Sequence, residues 1–408
     1  MLSGILRAAA VSAAVLVVIG GATSAIAADK PIKIGVLNDA SGVYADFQGV
    51  GSVVAARMAA EDFGPINGRP VEIVAGDHLN KVDVGTTMAR KWLDVDGVDA
   101  IADVPNSGIA LSVSEIVRAA NKTFLISGGV STDLTGAKCT PNNVHWTFDN
   151  YALAYSLVRS VINSGGDSWF FLTSDYAFGH DLERAASGLV KANGGTVAGA
   201  VRHPLNTSDF SSFLLQAQSS KAKIVALANA GGDTTNAIKQ AAEFGLTKSG
   251  QKLAGLVFII NNAHALGLPA AQGLLAVSPF YWNQSPEARA WSLRFQKLHP
   301  KKNMPNEMQA GVYAAVLHYL KAVKALNGDT AGDKVVAKMK EMKTNDPLFG
   351  QGTIRVDGRK MHPMHLFEVK TPSESKEPWD YYKLVSTLPA EQAFRPLDKG
   401  GCPLVKAN

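Results

Sequence analysis

Short β-branched runs alternate with amphipathic stretches of helical length along most of this chain. That alternation narrows its fold more than any other feature. Pro31-Ile32-Lys33-Ile34-Gly35-Val36-Leu37 reads as a strand ending at Asn38-Asp39, and a helical pattern follows from Gln48 to Phe63. A strand from Pro70 to Ala75, a helix from Val84 to Asp94, a strand from Val98 to Ala102, a helix from Gly108 to Asn121 and a strand from Thr123 to Ile126 continue it. Past a loop around Cys139 the pattern restarts with a helix from Asn150 to Asn163 and a strand from Ser168 to Leu172. Strands over Thr196–Val201, Ile224–Ala228 and Gly255–Ile260 follow, with a helix over Asp233–Phe244. Beyond Pro279, helices are expected over Pro286–His299, Glu307–Leu326 and Gly332–Lys340, and the tail from Thr353 to Val385 reads as strands and loops. Strands separated by helices imply parallel sheets with crossover connections. The expected fold class is α/β, in two doubly wound lobes of similar size. No repeat of fixed period is visible, which excludes a solenoid.

Hydrophobic residues make up 46% of the 408 and charged residues 18%, so there is ample apolar surface to bury and disorder is excluded as the main state. The 40 basic and 35 acidic residues are interspersed, with no single-sign block, so a nucleic acid is not an expected partner. The N-terminus carries one positive charge by Arg7, an apolar stretch from Ala8 to Ile19, and small residues ending Ala25-Ile26-Ala27-Ala28. This is the pattern of a cleavable export signal, with cleavage expected after Ala27. The apolar stretch is shorter than the ~20 residues that span a bilayer. Export to an oxidising compartment makes Cys139 and Cys402 candidates for a disulfide, against the alternative of two buried thiols. With two cysteines and no adjacent Cys/His pairs, neither a metal site nor any cofactor is expected.

Open α/β sheets bind ligands at the carboxyl ends of their strands, so the loops that follow strands are the ones to inspect. In the first half these are Asn38–Phe47, Asp103-Val104-Pro105-Asn106-Ser107-Gly108 and Ser127-Gly128-Gly129-Val130-Ser131-Thr132. Asn106, Ser107, Ser131 and Thr132 stand just before helices, where backbone N–H groups and a positive dipole end favour a carboxylate. The alternative is that they only cap those helices. In the second half the loops are Thr173–Gly179, Asn229-Ala230-Gly231-Gly232-Asp233 and Asn261-Asn262-Ala263-His264. Tyr44, Phe47, Tyr176 and Phe178 offer aromatic walls for a small ligand.

These loops, together with Ile66-Asn67-Gly68-Arg69-Pro70-Val71, Asn236–Leu246 and Gln309–Ala315, resemble the type I periplasmic binding proteins in order and spacing. The branch is that of the Leu/Ile/Val-binding proteins, which deliver solutes to ABC importers, and the resemblance covers essentially the whole chain after the export segment. It implies two lobes joined by three hinge crossings near Asp149, Ser278 and Gly350. The expected divisions are a signal over 1–27, an N-terminal lobe of 28–149 plus 279–350, and a C-terminal lobe of 150–278 plus 351–408. The resemblance also implies that Asn106, Ser107, Gly129 and Ser131 hold a ligand carboxylate, with Phe178 and Phe47 as aromatic contacts. Tyr44, Tyr176 and Asn229 join the candidate ligand set by position. Where family members that bind amino acids use a Glu to pair the ligand ammonium, the alignment places Asn262; where they carry a Tyr it places Ala230. Those departures count against an ordinary α-amino acid, because a buried ammonium needs a charged partner. Asp233 either replaces that partner or caps the helix it precedes.

Rival functions fit less well. Gly49-Val50-Gly51 opens a helix, but Val54 stands where a dinucleotide fingerprint needs its third glycine, and the glycines lie well beyond the strand. No Gly-x-Ser-x-Gly elbow marks a hydrolase. Pro363 breaks the helical spacing that would let His362 and His365 share a metal. Tyr281 and Trp282 either line the crevice mouth or pack the hinge. The reading is a non-enzymatic periplasmic protein, monomeric, that captures a small polar solute by hinge closure and hands it to an inner-membrane ABC permease. The ligand expected is an amino acid or a related carboxylate or amide, with an aromatic one among those the loops allow. A periplasmic ligand sensor for a membrane receptor is the alternative, and a secreted hydrolase a distant one.

Overall fold

A computed structural model describes residues 30–406; the expected export segment, with its cleavage point after Ala27, lies outside the described residues. The chain runs β1 (Ile32–Asn38), α1 (Gly49–Phe63), β2 (Val71–Asp77), α2 (Val82–Asp94), β3 (Ala100–Asp103), α3 (Ser107–Ala119), β4 (Thr123–Ile126) and β5 (Asn143–His145). It continues through α4 (Asn150–Asn163), β6 (Ser168–Ser174), α5 (Ala177–Ala192), β7 (Thr196–His203), α6 (Ser211–Ser219), β8 (Ile224–Ala228), α7 (Gly231–Glu243) and β9 (Lys252–Gly255). Then come α8 (Ile260–Leu266), α9 (Leu268–Ala271), β10 (Leu275–Ser278), α10 (Pro286–Leu298), α11 (Glu307–Ala325) and α12 (Gly332–Glu341). The last elements are β11 (Thr344–Asp346), β12 (Gly350–Ile354), β13 (Lys360–Met361), β14 (Met364–Val369), β15 (Tyr382–Leu388) and α13 (Ala390–Ala393).

Two parallel sheets carry the architecture, in the orders β2-β1-β3-β4-β5 and β7-β6-β8-β9. Each is apolar on both faces, which is why each is covered twice. Ile34 and Val36 of β1 share a core with Ala55 and Ala56 of α1 and Val316 and Tyr319 of α11. Leu37, Ile101, Phe124 and Ile126 pack with Trp92 of α2 and Val113 of α3 on the opposite face. In the second sheet Trp169 and Phe171 pack with Leu157 of α4 and Leu182 of α5, while Phe170 and Leu172 pack with Leu214 of α6 and Ile238 of α7. The expected doubly wound α/β lobes are present, and among the described residues no helix is long and apolar enough to cross a membrane.

Three passages connect the two sheets. The first runs from β5 to α4, where Asp149 accepts the Ala152 amide and caps α4; the second follows β10. The third falls later than Gly350. β12 pairs with β11 and β13, and Arg359 bridges to His145 at the end of β5, so residues 351–361 stay with the first sheet. The chain crosses only at His362-Pro363, after which β14 joins β10. The tail is divided as well: α13 packs on α4, but Cys402 returns to Cys139 in the first unit.

Two further expectations change. β5 falls inside the region expected to be a loop around Cys139; three residues are too few to show a period. The apolar run Gly255–Ile260 is not one strand: β9 ends at Gly255, Leu256–Ile259 is a loop, and α8 begins at Ile260.

Cys139 and Cys402 form a disulfide with Cα atoms 5.6 Å apart and a sequence separation of 263. A loop of that length constrains the unfolded chain strongly, by at most about 5 kcal/mol. Replacing Cys139 with Ser should lower the melting temperature by several degrees, and reductant should lower that of the parent protein similarly while leaving the variant unchanged. Equal melting temperatures with and without reductant would show that the bond contributes nothing.

Candidate functional site

Parallel order puts every carboxyl strand end of a sheet on one edge, and the strand order reverses between β1 and β3 and again between β6 and β8. The crevice at those reversals is where such sheets hold ligands. Here the two crevices face each other across a small cleft lined by Tyr44, Phe47, Gln48, Pro105, Gly128, Val130, Tyr176, Phe178, Ala230, Val257 and Met308. Its cavity volume is only about 20 Å³, far below the ~300–1,000 Å³ of small-molecule sites, so the shut cleft has room for about one water and the lobes must part to admit a solute.

The cleft is shut by direct contacts. The Tyr44 and Tyr176 hydroxyls meet at 2.5 Å, one from each side. Burial raises both phenol pKa values, reinforced for Tyr44 by Tyr176 itself, so both stay protonated and can donate. The Gly232 amide donates to the Val43 carbonyl at 3.3 Å, and Asn261 Nδ2 to the Asp46 carbonyl at 2.9 Å. Gly231 makes the first approach possible: its φ is +64°, and a Cβ there would lie 2.4 Å from the Val43 carbonyl oxygen. Deeper in the seam the Asp181 carboxylate accepts the Thr132 amide at 2.8 Å, the Thr132 hydroxyl at 2.7 Å and Asn150 Nδ2 at 2.7 Å, and it pairs with Arg184.

Of the twelve candidate ligand residues, Tyr44, Phe47, Tyr176, Phe178 and Ala230 line the cleft. The others do not. Asn229 is tied to His203 and accepts the Thr234 hydroxyl. Asp233 accepts the Asn206 and Thr207 amides, at 3.1 and 2.9 Å; burial outweighs those bonds and pushes its pKa up to about 6. Asn262 donates to the Gly231 carbonyl and the Thr235 hydroxyl and accepts the Ile259 amide, which uses both of its donors. The loop after β9 is Leu256–Ile259, so Val257 fills the place given to Asn262. On the other side Asn106 caps α3 through the Gly108 and Ile109 amides, and Ser131 accepts the Asp133 amide at 3.3 Å. Gly129 lies against Ala110 and the Val104 carbonyl. The Ser107 hydroxyl is buried without a partner.

Gln48, Pro105, Gly128, Val130, Val257 and Met308 were not among the sequence candidates. Pro105, Gly128 and Val130 lie in loops already singled out, and strand-end position alone would have found them. Gln48 and Met308 stand at the starts of α1 and α11, where a helical pattern reads as core.

The model of the periplasmic binding protein family matches residues 31–376. A periplasmic binding protein from Burkholderia mallei is 50% identical, with a TM-score of 0.89 over 92% of this chain and 99% of that one. A branched chain amino acid ABC transporter periplasmic ligand-binding protein from Burkholderia xenovorans is 38% identical, with a TM-score of 0.80 over 91% of this chain and 99% of that one. A solute binding protein of an ABC transporter from Rhodopseudomonas palustris, in complex with p-hydroxybenzoic acid, is 25% identical, with a TM-score of 0.79 over 89% of this chain and 98% of that one.

A Cβ at Gly128 would lie 1.8 Å from Gln48 Nε2 and 2.9 Å from the Pro105 Cα. Gly128→Ala should cost about 1–3 kcal/mol of stability through overpacking, read as a lower melting temperature. An unchanged melt would mean that Gln48 moves freely.

Proposed function

The chain belongs to the periplasmic binding proteins, and from that premise we propose that it captures an aromatic carboxylate by closing its two lobes and delivers it to an ABC permease. One observation carries the choice of ligand: no charged side chain lines the cleft among the described residues. The second lobe presents Ala230 and Val257, and the polar residues nearest them, Asp233 and Asn262, are bound to the fold. An α-ammonium buried there would have no partner, at a cost of several kcal/mol. Tyr44, Phe47, Tyr176 and Phe178 instead offer ring faces and edges, and the paired phenols can exchange a hydrogen bond with a ring hydroxyl. The p-hydroxybenzoate held by the Rhodopseudomonas relative belongs to this class.

On this reading the carboxylate sits against the first lobe, beside the loops Asn106–Ser107 and Gly129–Ser131, whose polar side chains do not line the cleft in its shut arrangement and reach the ligand only as the lobes part. Ser107 is the best placed of these chemically, because its hydroxyl is buried and engaged with nothing. Hinge closure follows from the two-sided lining: a ligand touching both lobes favours the closed state by its differential affinity.

A thermal-shift series is the direct test. Benzoate or 4-hydroxybenzoate at a hundredfold excess over Kd should stabilise the protein by about 2.7 kcal/mol, and leucine should leave the melt unchanged. Stabilisation by leucine and not by the aromatic acids would overturn the assignment.

Closure has its own test. Gly231→Ala combines a disfavoured φ with a clash across the seam, so it should keep the lobes apart. Solution scattering should show compaction with ligand in the parent protein and little in the variant, with affinity reduced tenfold or more. Full compaction of the variant would rule out the Gly231 contact as part of the closed state.

A further inference from the structure

Resting on the aromatic-carboxylate reading, we infer that Asp103 is a proton-bearing positioning residue that sets which end of the Gln48 amide is offered to the cleft, and so couples capture of an anionic ligand to pH.

Asp103 ends β3 directly behind the cleft wall and is fully buried. It and Val104 both have left-handed backbone, φ +81° and +57°, which residues with side chains adopt at a cost and which clusters where a site demands it. Gln48 Nε2 donates to Asp103 Oδ1 at 3.1 Å, while Asp103 Oδ2 and Gln48 Oε1 are both buried without partners. Gln48 itself lines the cleft beside Gly128, and Gly128 leaves the space its amide occupies. A carboxylate with one free oxygen therefore touches an amide with one free end, and that amide reaches the ligand space.

The surroundings of Asp103 are neutral. Asn38 faces it from β1, Gln48 and Ser52 from α1, and the Gly128 backbone from the loop after β4; among the described residues no charged group acts on it from these elements. Burial outweighs the polar neighbours Ser52, Gln48 and Asn38, of which Gln48 donates to it, and pushes the carboxyl up to about 7. Near neutral pH both forms are populated.

Each form orients the amide differently. Ionised Asp103 can only accept, so it takes the Gln48 NH₂ and leaves Oε1 as the free end, an acceptor that repels a ligand carboxylate. Protonated Asp103 donates its O–H to Oε1, which turns the amide half a rotation and frees the NH₂ as a donor to that carboxylate. One proton thus supplies what an absent arginine would supply elsewhere. The sign follows: a bound anion favours the protonated form, so affinity is constant below about pH 7 and falls above it, by up to tenfold per pH unit. The other acids near the cleft are Asp39 and Asp233, both sensed by the Tyr44–Tyr176 pair.

The experiment is calorimetric titration of the full chain with benzoate, whose single carboxyl is ionised throughout, from about pH 6 to about pH 8.5. The parent protein should lose about thirtyfold in affinity across that range, as the protonated fraction of a carboxyl titrating near 7 falls, and take up protons on binding. Asp103→Asn, whose amide donates to Gln48 Oε1 at every pH, should hold the low-pH affinity across the range without proton uptake. A flat profile in the parent, or the same slope in Asp103→Asn, overturns the proposal and in the second case moves the linkage to Asp233. Should Asp103→Asn fail to fold, Gln48→Met keeps the acid and removes the amide; a surviving slope overturns the proposal equally. Infrared difference spectra of the ligand-free protein separate this failure from that of the ligand reading. A protonated-carboxyl band lost over the same pH range, and missing from Asp103→Asn or shifted in Gln48→Met, supports the switch even where benzoate does not bind; no such band refutes it.

Discussion

A parallel strand pair cannot be closed by a hairpin; each strand must be followed by a crossover that returns the chain to the same edge. Everything at the cleft depends on this constraint. With five strands in one sheet and four in the other running parallel, all the chain's strand-to-helix turns collect on one edge of each sheet. The two positions where the strand order reverses leave gaps between neighbouring turns, and the chain fills those gaps with Tyr44 and Phe47, Pro105, Tyr176 and Phe178, and Ala230. The first lobe's contribution comes from the turns after β1, β3 and β4, and the second lobe's from those after β6, β8 and β9. No helix interior contributes. Gln48 and Met308 belong to the list only because they stand at helix starts, which open onto the same edge.

The seam between the lobes is built from groups that lose little on closing. Val43 and Asp46 offer carbonyls, which Gly232 and Asn261 meet with neutral donors, and Asn306 donates back to the Asn261 side-chain oxygen. The buried Asp181 carboxylate is met by two donors from Thr132, one from Asn150 and the Arg184 guanidinium, which offsets its desolvation. The crossings are treated differently. Asp149 caps α4 with one oxygen and faces the buried Arg359 guanidinium at 3.6 Å with the other, joining the first crossing to the third. Burial lowers Arg359 to about 10, Lys360 to about 8 and His362 to about 3. Charge is spent on fixing where the chain crosses, and neutrality on letting the lobes meet and part.

What could be read in the sequence divides along the same physical line. Element type followed from hydrophobic period in long segments such as α4 and from a short apolar run bounded by polar residues in β4, and both came out with their ends correct. The aromatic half of the site was legible because an aromatic in a strand-end loop has little else to do. The polar half was not. Asn229, Asp233 and Asn262 were candidates on position, yet each is engaged by the fold: Asn229 by His203 and Thr234, Asp233 by the Asn206 and Thr207 amides, and Asn262 by Gly231 and Thr235. Most of these partners are too distant in sequence for a local pattern to show. Val257 was hidden because a continuous apolar run does not show where a strand stops and a loop begins. Gly350 failed as a crossing because β12 and β13 are short antiparallel pieces whose allegiance is set by Arg359 and His145, distant in sequence.

A neutral second lobe has a consequence for how such a protein discriminates. A cleft that recognised an ammonium by a carboxylate would draw most of its selectivity from one ion pair, and an unmatched ligand would leave that carboxylate buried and unpaired. Here the first lobe can offer hydrogen bonds to an anion, about 1.5–3 kcal/mol each, while the second offers only apolar and aromatic surface. On the aromatic-carboxylate reading the two lobes therefore divide the work: the first recognises charge in the open state, and the second recognises shape on closing. A ligand with the right charge and the wrong shape binds one lobe without shutting the cleft, because the four aromatic side chains that meet there pack on a flat ring more readily than on a branched chain bearing an ammonium. Selection and closure become one event, and it is the absence of charge on the second lobe, rather than any single contact, that makes them so.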